Sequence, residues 1–103
     1  MAVDDSFREI VWTVIMSIPP GKVMSYGQVA RLAGYPSHAR MVGGILKKLP
    51  AKSKIPWYRV VNAQGKISFP VDSAAYLRQR QQLEDDGVAF RGDKILPAMF
   101  VDY

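Results

Sequence analysis

Residues 25–49 read Ser25-Tyr26-Gly27-Gln28-Val29-Ala30-Arg31-Leu32-Ala33-Gly34-Tyr35-Pro36-Ser37-His38-Ala39-Arg40-Met41-Val42-Gly43-Gly44-Ile45-Leu46-Lys47-Lys48-Leu49. Ser25 with Gln28 three residues on fits a capping box. A short helix through Val29, Ala30, Leu32 and Ala33 should follow, with Gly34 as its left-handed closing residue. Tyr35-Pro36 makes a turn. Ser37 is then the expected cap of a further helix from about His38 to Leu49. On that helix Val42, Ile45, Leu46 and Leu49 form one apolar stripe, which leaves Arg40, Gly44, Lys47 and Lys48 facing outward. Two short helices joined by a tight Gly-containing turn are the outline of a helix-turn-helix. Each glycine of Gly43-Gly44 costs about 1 kcal/mol relative to Ala in a helix interior. Close approach of another helix, or of a DNA groove, would offset that cost.

On the N-terminal side, Phe7, Ile10, Val11, Val14, Ile15 and Ile18 recur at helical spacing. Asp4, Asp5 and Ser6 are available to cap that helix, and Pro19-Pro20-Gly21 ends it. On the C-terminal side, Ile55-Pro56-Trp57-Tyr58-Arg59-Val60-Val61 and Lys66-Ile67-Ser68-Phe69 flank Asn62-Ala63-Gln64-Gly65. This pattern predicts a β-hairpin with a Gly-containing turn. Ser73 should cap a last helix, from about Ala74 to Asp86, ended by Gly87. The tail from Val88 to Tyr103 offers Phe90, Ile95, Leu96, Phe100 and Val101 to the core. The fold expected is mainly α with a small β-hairpin, a winged helix-turn-helix-like DNA-binding domain. All 103 residues are expected to form one domain.

Charge is distributed unevenly. Between Gly21 and Lys66 lie Lys22, Arg31, Arg40, Lys47, Lys48, Lys52, Lys54, Arg59 and Lys66, with no Asp or Glu among them. All 9 acids lie outside that window, and the net charge is +5. A basic block on an otherwise mixed surface is the footprint of a polyanion binder. No basic amphipathic helix with a large apolar face accompanies it, so nucleic acid is favoured over a membrane surface. There is no cysteine and one histidine, His38. That composition excludes a thiolate nucleophile, a disulfide framework and a zinc-thiolate site, and no metal or other cofactor is expected. No stretch approaches the roughly 20 apolar residues of a membrane span. The acidic start Met-Ala-Val-Asp-Asp lacks a signal-peptide apolar region. The expected location is the cytoplasm, nucleoid-associated through DNA in a prokaryotic cell, and the expected state is a monomer.

Pro56-Trp57-Tyr58-Arg59 places two large aromatics and an arginine consecutively in the basic region. Trp57 reads either as a stacking surface for an extruded base or as a core or wing residue. The surrounding Ile-Pro-Trp-Tyr-Arg-Val-Val-Asn resembles the Ile-Pro-Cys-His-Arg-Val-Val motif of the O6-alkylguanine-DNA alkyltransferases, with Trp57 in place of the reactive Cys. Three further segments match in the family's order. Gly21 to Gln28 resembles its Gly-x-Val-x-Ser-Tyr-Gly stretch, Ser37 to Gly44 its Ala-Arg-Ala-Val-Gly recognition helix, and Leu83 to Val88 its Leu-x-x-Glu-Gly-Val. The exchange of Cys for Trp resembles the alkyltransferase-like proteins, whose usual motif is Pro-Trp-His-Arg.

The resemblance implies a helix-turn-helix that enters the minor groove and turns a nucleotide out of the stack. Tyr26 would crowd the phosphate beside the target, and Arg40 would take the place of the flipped base. Ser37, Ala39, Met41, Gly44, Lys47 and Lys48 would face DNA. Trp57, Tyr58, Val60, Ser68, Pro70 and Val71 would line the lesion pocket, braced by Arg59 and by Asp86 at the place of the family's Glu. Indole has no nucleophilic heteroatom of useful basicity, so alkyl transfer at Trp57 is excluded. Tyr58 replaces the family's His and is a poor proton relay near neutral pH, its unperturbed pKa being about 10. Leu49-Pro50 replaces the family's Asn hinge. The basic residue that some alkyltransferase-like proteins carry near Phe69-Pro70 is absent. The implied function is that of a non-enzymatic sensor. It would bind duplex DNA containing O6-alkylguanine and hand it to nucleotide-excision repair proteins. A winged-helix transcription regulator without lesion preference is the alternative, although the Arg40 to Gly44 segment has few long polar side chains for base edges.

Overall fold

The computed structural model describes residues 5–50 and 52–101, with Asp5 described by its backbone alone. The expected caps from Asp4 and the Asp5 side chain lie outside this description. Helix α1 spans Asp5–Met16. Phe7, Val11, Ile15 and Ile18 are buried, but Ile10 of the expected stripe is exposed. Strand β1 is Met24–Ser25, helix α2 is Tyr26–Leu32 and helix α3 is Ala39–Lys47. The capping box forms as its spacing requires. Gln28 N–H donates to Ser25 Oγ at 3.0 Å, and Ser25 N–H donates to Gln28 Oε1 at 2.9 Å. Gly34 reverses the chain after α2 with φ near 92°, a region that favours glycine.

The cap of α3 differs from expectation. His38, not Ser37, occupies the cap position, and no side chain closes that end. Ser37 Oγ instead meets His38 Nδ1 at 3.0 Å. The His38 ring is held among Phe7 and Tyr35, with centroids 5.6 and 5.2 Å away.

The wing is the larger difference. Trp57–Arg59 forms a single 3₁₀ turn, followed by strand β2, Val60–Val61. Strand β2 pairs in parallel with β1, Met24 opposite Val60 and Ser25 opposite Val61. Residues 67–69 form no strand. Asn62 Oδ1 accepts from the N–H groups of Gln64 and Lys66, so the chain turns back tightly and Lys66 bridges Lys94 instead. The antiparallel hairpin lies in the C-terminal segment. Strand β3, Phe90–Arg91, pairs with strand β4, Lys94–Ile95. Helix α4, Ala74–Asp85, carries it. Arg80 of α4 lies 4.2 Å from the Phe90 ring centroid and donates to Gly92 O at 2.8 Å. Four α-helices and two small strand pairs thus make up the described residues.

The parallel pair β1–β2 divides two cores because consecutive strand residues point to opposite faces. Met24 and Val60 enter a core shared by α1, α2 and α3. Val23 and Val61 enter a second core with Tyr76 and Leu83 of α4 and Ile95 of β4. The final segment ties back to β1: Val23 N–H donates to Met99 O and Val101 N–H donates to Val23 O, both at 2.9 Å.

Candidate nucleic-acid interface

Helix α3 is seated by Val42 and Ile45, both buried in the first core. That seating leaves Arg40, Lys47 and Lys48 exposed. Among the described residues none of the three has an acidic side chain within ion-pair distance. Ser37 is exposed and Ala39 half-buried at the same end of the helix. Met41 is also half-buried and packs against the first core. The two helical glycines differ. A Cβ on Gly43 would sit 3.9 Å from the Tyr26 ring, ordinary packing, whereas a Cβ on Gly44 would meet nothing within 4 Å among the described residues. Close packing between α2 and α3 therefore requires glycine at neither position.

A cavity of about 270 Å³ opens between α2, α3 and the 3₁₀ turn. Trp57, Val60 and Ser68 stand on its wall, as the sequence suggested. Tyr26, Gly43, Leu46 and Lys47 close the helical side, with Phe69 and Gln79 completing it. Tyr26 sits at the mouth, where its hydroxyl accepts from Ser68 Oγ at 3.2 Å. Three residues expected on this wall are elsewhere. Tyr58 turns toward the second core, where Arg59 lies 5.3 Å from its ring centroid. Consecutive residues of a 3₁₀ turn diverge by about a third of a turn, so Trp57 and Tyr58 cannot share one wall. Pro70 is exposed in the turn leading to α4, where its carbonyl accepts from Ser73. Val71 is 58% exposed. Trp57 is a partition more than a floor. Together with Leu46, Lys47 and Phe69 it also lines a second cavity of about 320 Å³, bounded by Leu49, Pro50 and Ser53.

The segment that carries Trp57 is held from behind. Arg59 Nε donates to Asp86 Oδ2 at 2.7 Å and Nη2 to Oδ1 at 3.3 Å. Arg59 Nη1 also donates to Ile18 O at 3.0 Å. These side chains are only 12% and 15% exposed. Hydrogen bonding to Asp86 holds the Arg59 guanidinium above its ordinary pKa, so it stays charged at every working pH. Gln79, 3% exposed, adds a second brace that the sequence reading missed. Its Nε2 donates to Tyr58 O at 3.0 Å and to Val60 O at 3.2 Å. The available signal was a polar residue on the inward stripe Tyr76, Gln79, Leu83. Among the described residues no three metal-binding side chains converge, and no helix is long and apolar enough to cross a membrane.

Comparisons with known proteins agree with this geometry. The model of the 6-O-methylguanine DNA methyltransferase DNA-binding domain matches residues 6–88. A DNA base-flipping protein of Escherichia coli is 49% identical over 92 residues, covering 89% of this chain and 70% of that protein. Alkyltransferase-like protein 1 of Schizosaccharomyces pombe is 44% identical over 84 residues, covering 82% of this chain and 78% of that protein. The crystal structure of S. pombe Atl1 in complex with damaged DNA containing O6-carboxymethylguanine superposes with a TM-score of 0.84 at 36% identity, over 99% of this chain and 100% of that one. With a Trp-walled cavity beside a basic recognition helix, and with these relatives, the chain belongs to the family of the 6-O-methylguanine DNA methyltransferase DNA-binding domain, as an alkyltransferase-like member.

Proposed function

We infer that this protein is a non-enzymatic sensor of O6-alkylguanine in duplex DNA. The observation that carries this is the cavity beside α3, with Trp57 on its wall; the motif that the sequence resembles has its reactive Cys at that position. Exposed Arg40 lies near the start of the same helix. Helix α3 enters the minor groove, Arg40 fills the gap in the stack, and the extruded guanine packs on the indole of Trp57. Extrusion costs a few kcal/mol, less at a damaged pair, which contributes to lesion preference. No group at the cavity is both nucleophilic and activated, so the alkyl group stays on the base. A held, unrepaired lesion is useful only as a signal, and nucleotide-excision repair proteins are the receivers that this proposal names. That Atl1 was crystallised with damaged DNA supports the DNA part of the proposal.

Fluorescence anisotropy with two matched duplexes, one unmodified and one containing O6-methylguanine, tests it at several salt concentrations. The lesion duplex should bind roughly five- to hundredfold more tightly, the range expected of one base stacked on an aromatic face. The salt slopes of the two should be similar, because the phosphate contacts are shared. Equal affinity for both duplexes would remove the sensor and leave a general DNA binder.

A further inference from the structure

Helix α3 has a second flank. Opposite the Trp57 cavity, a groove of about 580 Å³ runs between α1 and α3. Met41, Gly44, Ile45 and Lys48 line it from the α3 side, and Arg8 and Trp12 line it from α1. Three observations need a common explanation. Gly44 leaves open space where any side chain would project. Two cations from different elements, Arg8 and Lys48, border one groove. The Nε1–H of Trp12 is buried and has no acceptor among the described residues, although buried indole N–H groups ordinarily find one.

Resting on the DNA-binding function above, we propose that this groove holds a backbone phosphate of the strand that does not carry the lesion, with Arg8 and Trp12 of α1 as binding residues. A helix lying in the minor groove has one strand along each flank. The Trp57 cavity faces one flank and takes the extruded base, so the α1 groove faces the other strand. Gly44 lets the sugar–phosphate chain approach α3 closely. Lys48 and Arg8 supply positive charge from its two sides, and the Trp12 N–H supplies a directed donor. Arg8 lies 5.7 Å from the Trp12 ring centroid. The N–H is shielded in the free protein, so entry of a phosphate oxygen requires the long side chains of Arg8, Met41 and Lys48 to shift. Lys48 already faces outward on α3. What the groove adds is the outer face of α1, a helix whose Phe7, Val11 and Ile15 are buried in the first core.

Titration of the unmodified duplex against salt tests this directly. Arg8→Gln should lower the steepness of the log–log salt dependence by about one, as expected for one lost phosphate contact. Trp12→Phe keeps the ring but removes the donor. It should weaken binding about fivefold or more with the salt slope unchanged. Both should weaken the lesion duplex by the same factor, leaving lesion preference intact. Neutral methylphosphonate linkages in the lesion-free strand should erase the difference between wild type and Arg8→Gln, and the same linkages in the lesion strand should preserve it. Wild-type affinity and slope in both variants would overturn the groove while the sensor function stands. Methylphosphonates that erase the difference only in the lesion strand would overturn the strand assignment. Equal wild-type affinity for the two duplexes, with a reduced slope in Arg8→Gln, would overturn the sensor and keep the groove. A chain that binds no duplex at all would overturn both. If Trp12→Phe folds poorly, Arg8→Gln alone decides.

Discussion

Gln79 shows how much one residue can hold. Its single amide nitrogen serves two carbonyls, at Tyr58 and Val60, on either side of Arg59. Gln79→Leu keeps the volume but removes this side-chain donor from both carbonyls. Urea unfolding should read a loss of about 1–3 kcal/mol. The Arg59–Asp86 pair is the companion case. Asp86→Ala strands a largely buried guanidinium and should cost about 3 kcal/mol by the same measurement. Chemistry at position 57 gives a sharper prediction. Trp57→Cys should show no alkyl adduct by mass spectrometry after incubation with O6-methylguanine DNA. Tyr58 packs toward the second core, and by the motif resemblance it replaces the activating His, so nothing should activate the thiol. An adduct would show that this account of the missing relay is wrong. The structure brings Arg59 and Asp86 together behind the turn and puts Trp57, Val60 and Ser68 on one wall. Tyr58, Pro70 and Val71 were misplaced because a motif fixes order along the chain, not the direction of side chains around a 3₁₀ turn.

Among the secondary-structure elements, the helices were legible and the strands were not. Helical spacing over ten or more residues leaves an unmistakable stripe, and capping residues marked the starts of α2 and α4. The strands are two residues each, too short for any alternation to register. The parallel pairing of Met24-Ser25 with Val60-Val61 depends on a long connection that no local pattern encodes. Residues 66–69 looked like a strand by composition, but Asn62 folds its preceding turn too tightly for a ladder to grow. Ser25 shows the economy of the result, since it ends β1 and caps α2. Ser25→Ala should lower stability by about 1 kcal/mol in thermal or urea unfolding. Gly65 is the tighter constraint. It has φ near 79°, and a Cβ there would fall 3.1 Å from Ile95 O. Gly65→Ala should cost more than about 1 kcal/mol.

Across the whole molecule, the basic window of the sequence maps partly to α3 and its flanks, while the acids fall at the N-terminal end of the sequence and from Asp72 onward. Arg40, Lys47 and Lys48 stand without acidic partners among the described residues. DNA affinity should therefore depend on salt with a log–log slope of about −3 to −4. Raising salt from about 50 to 200 mM should weaken binding roughly a hundredfold, for damaged and intact duplexes alike. A flat dependence would contradict an interface built on phosphates. The two-core division could not be read from the chain because both cores draw on the same short stretches, Val23-Met24 and Val60-Val61.

The bracing around Trp57 has a consequence of another kind. Arg59 is tied to Asp86 and to the carbonyl of Ile18, and Gln79 grips the carbonyls of Tyr58 and Val60. Every one of these bonds engages the neighbours of residue 57, and none engages its side chain. None of these hydrogen bonds therefore depends on the side chain that residue 57 carries. A frame of this kind can exchange the side chain at position 57 in a single substitution and keep every bond that holds the turn in place.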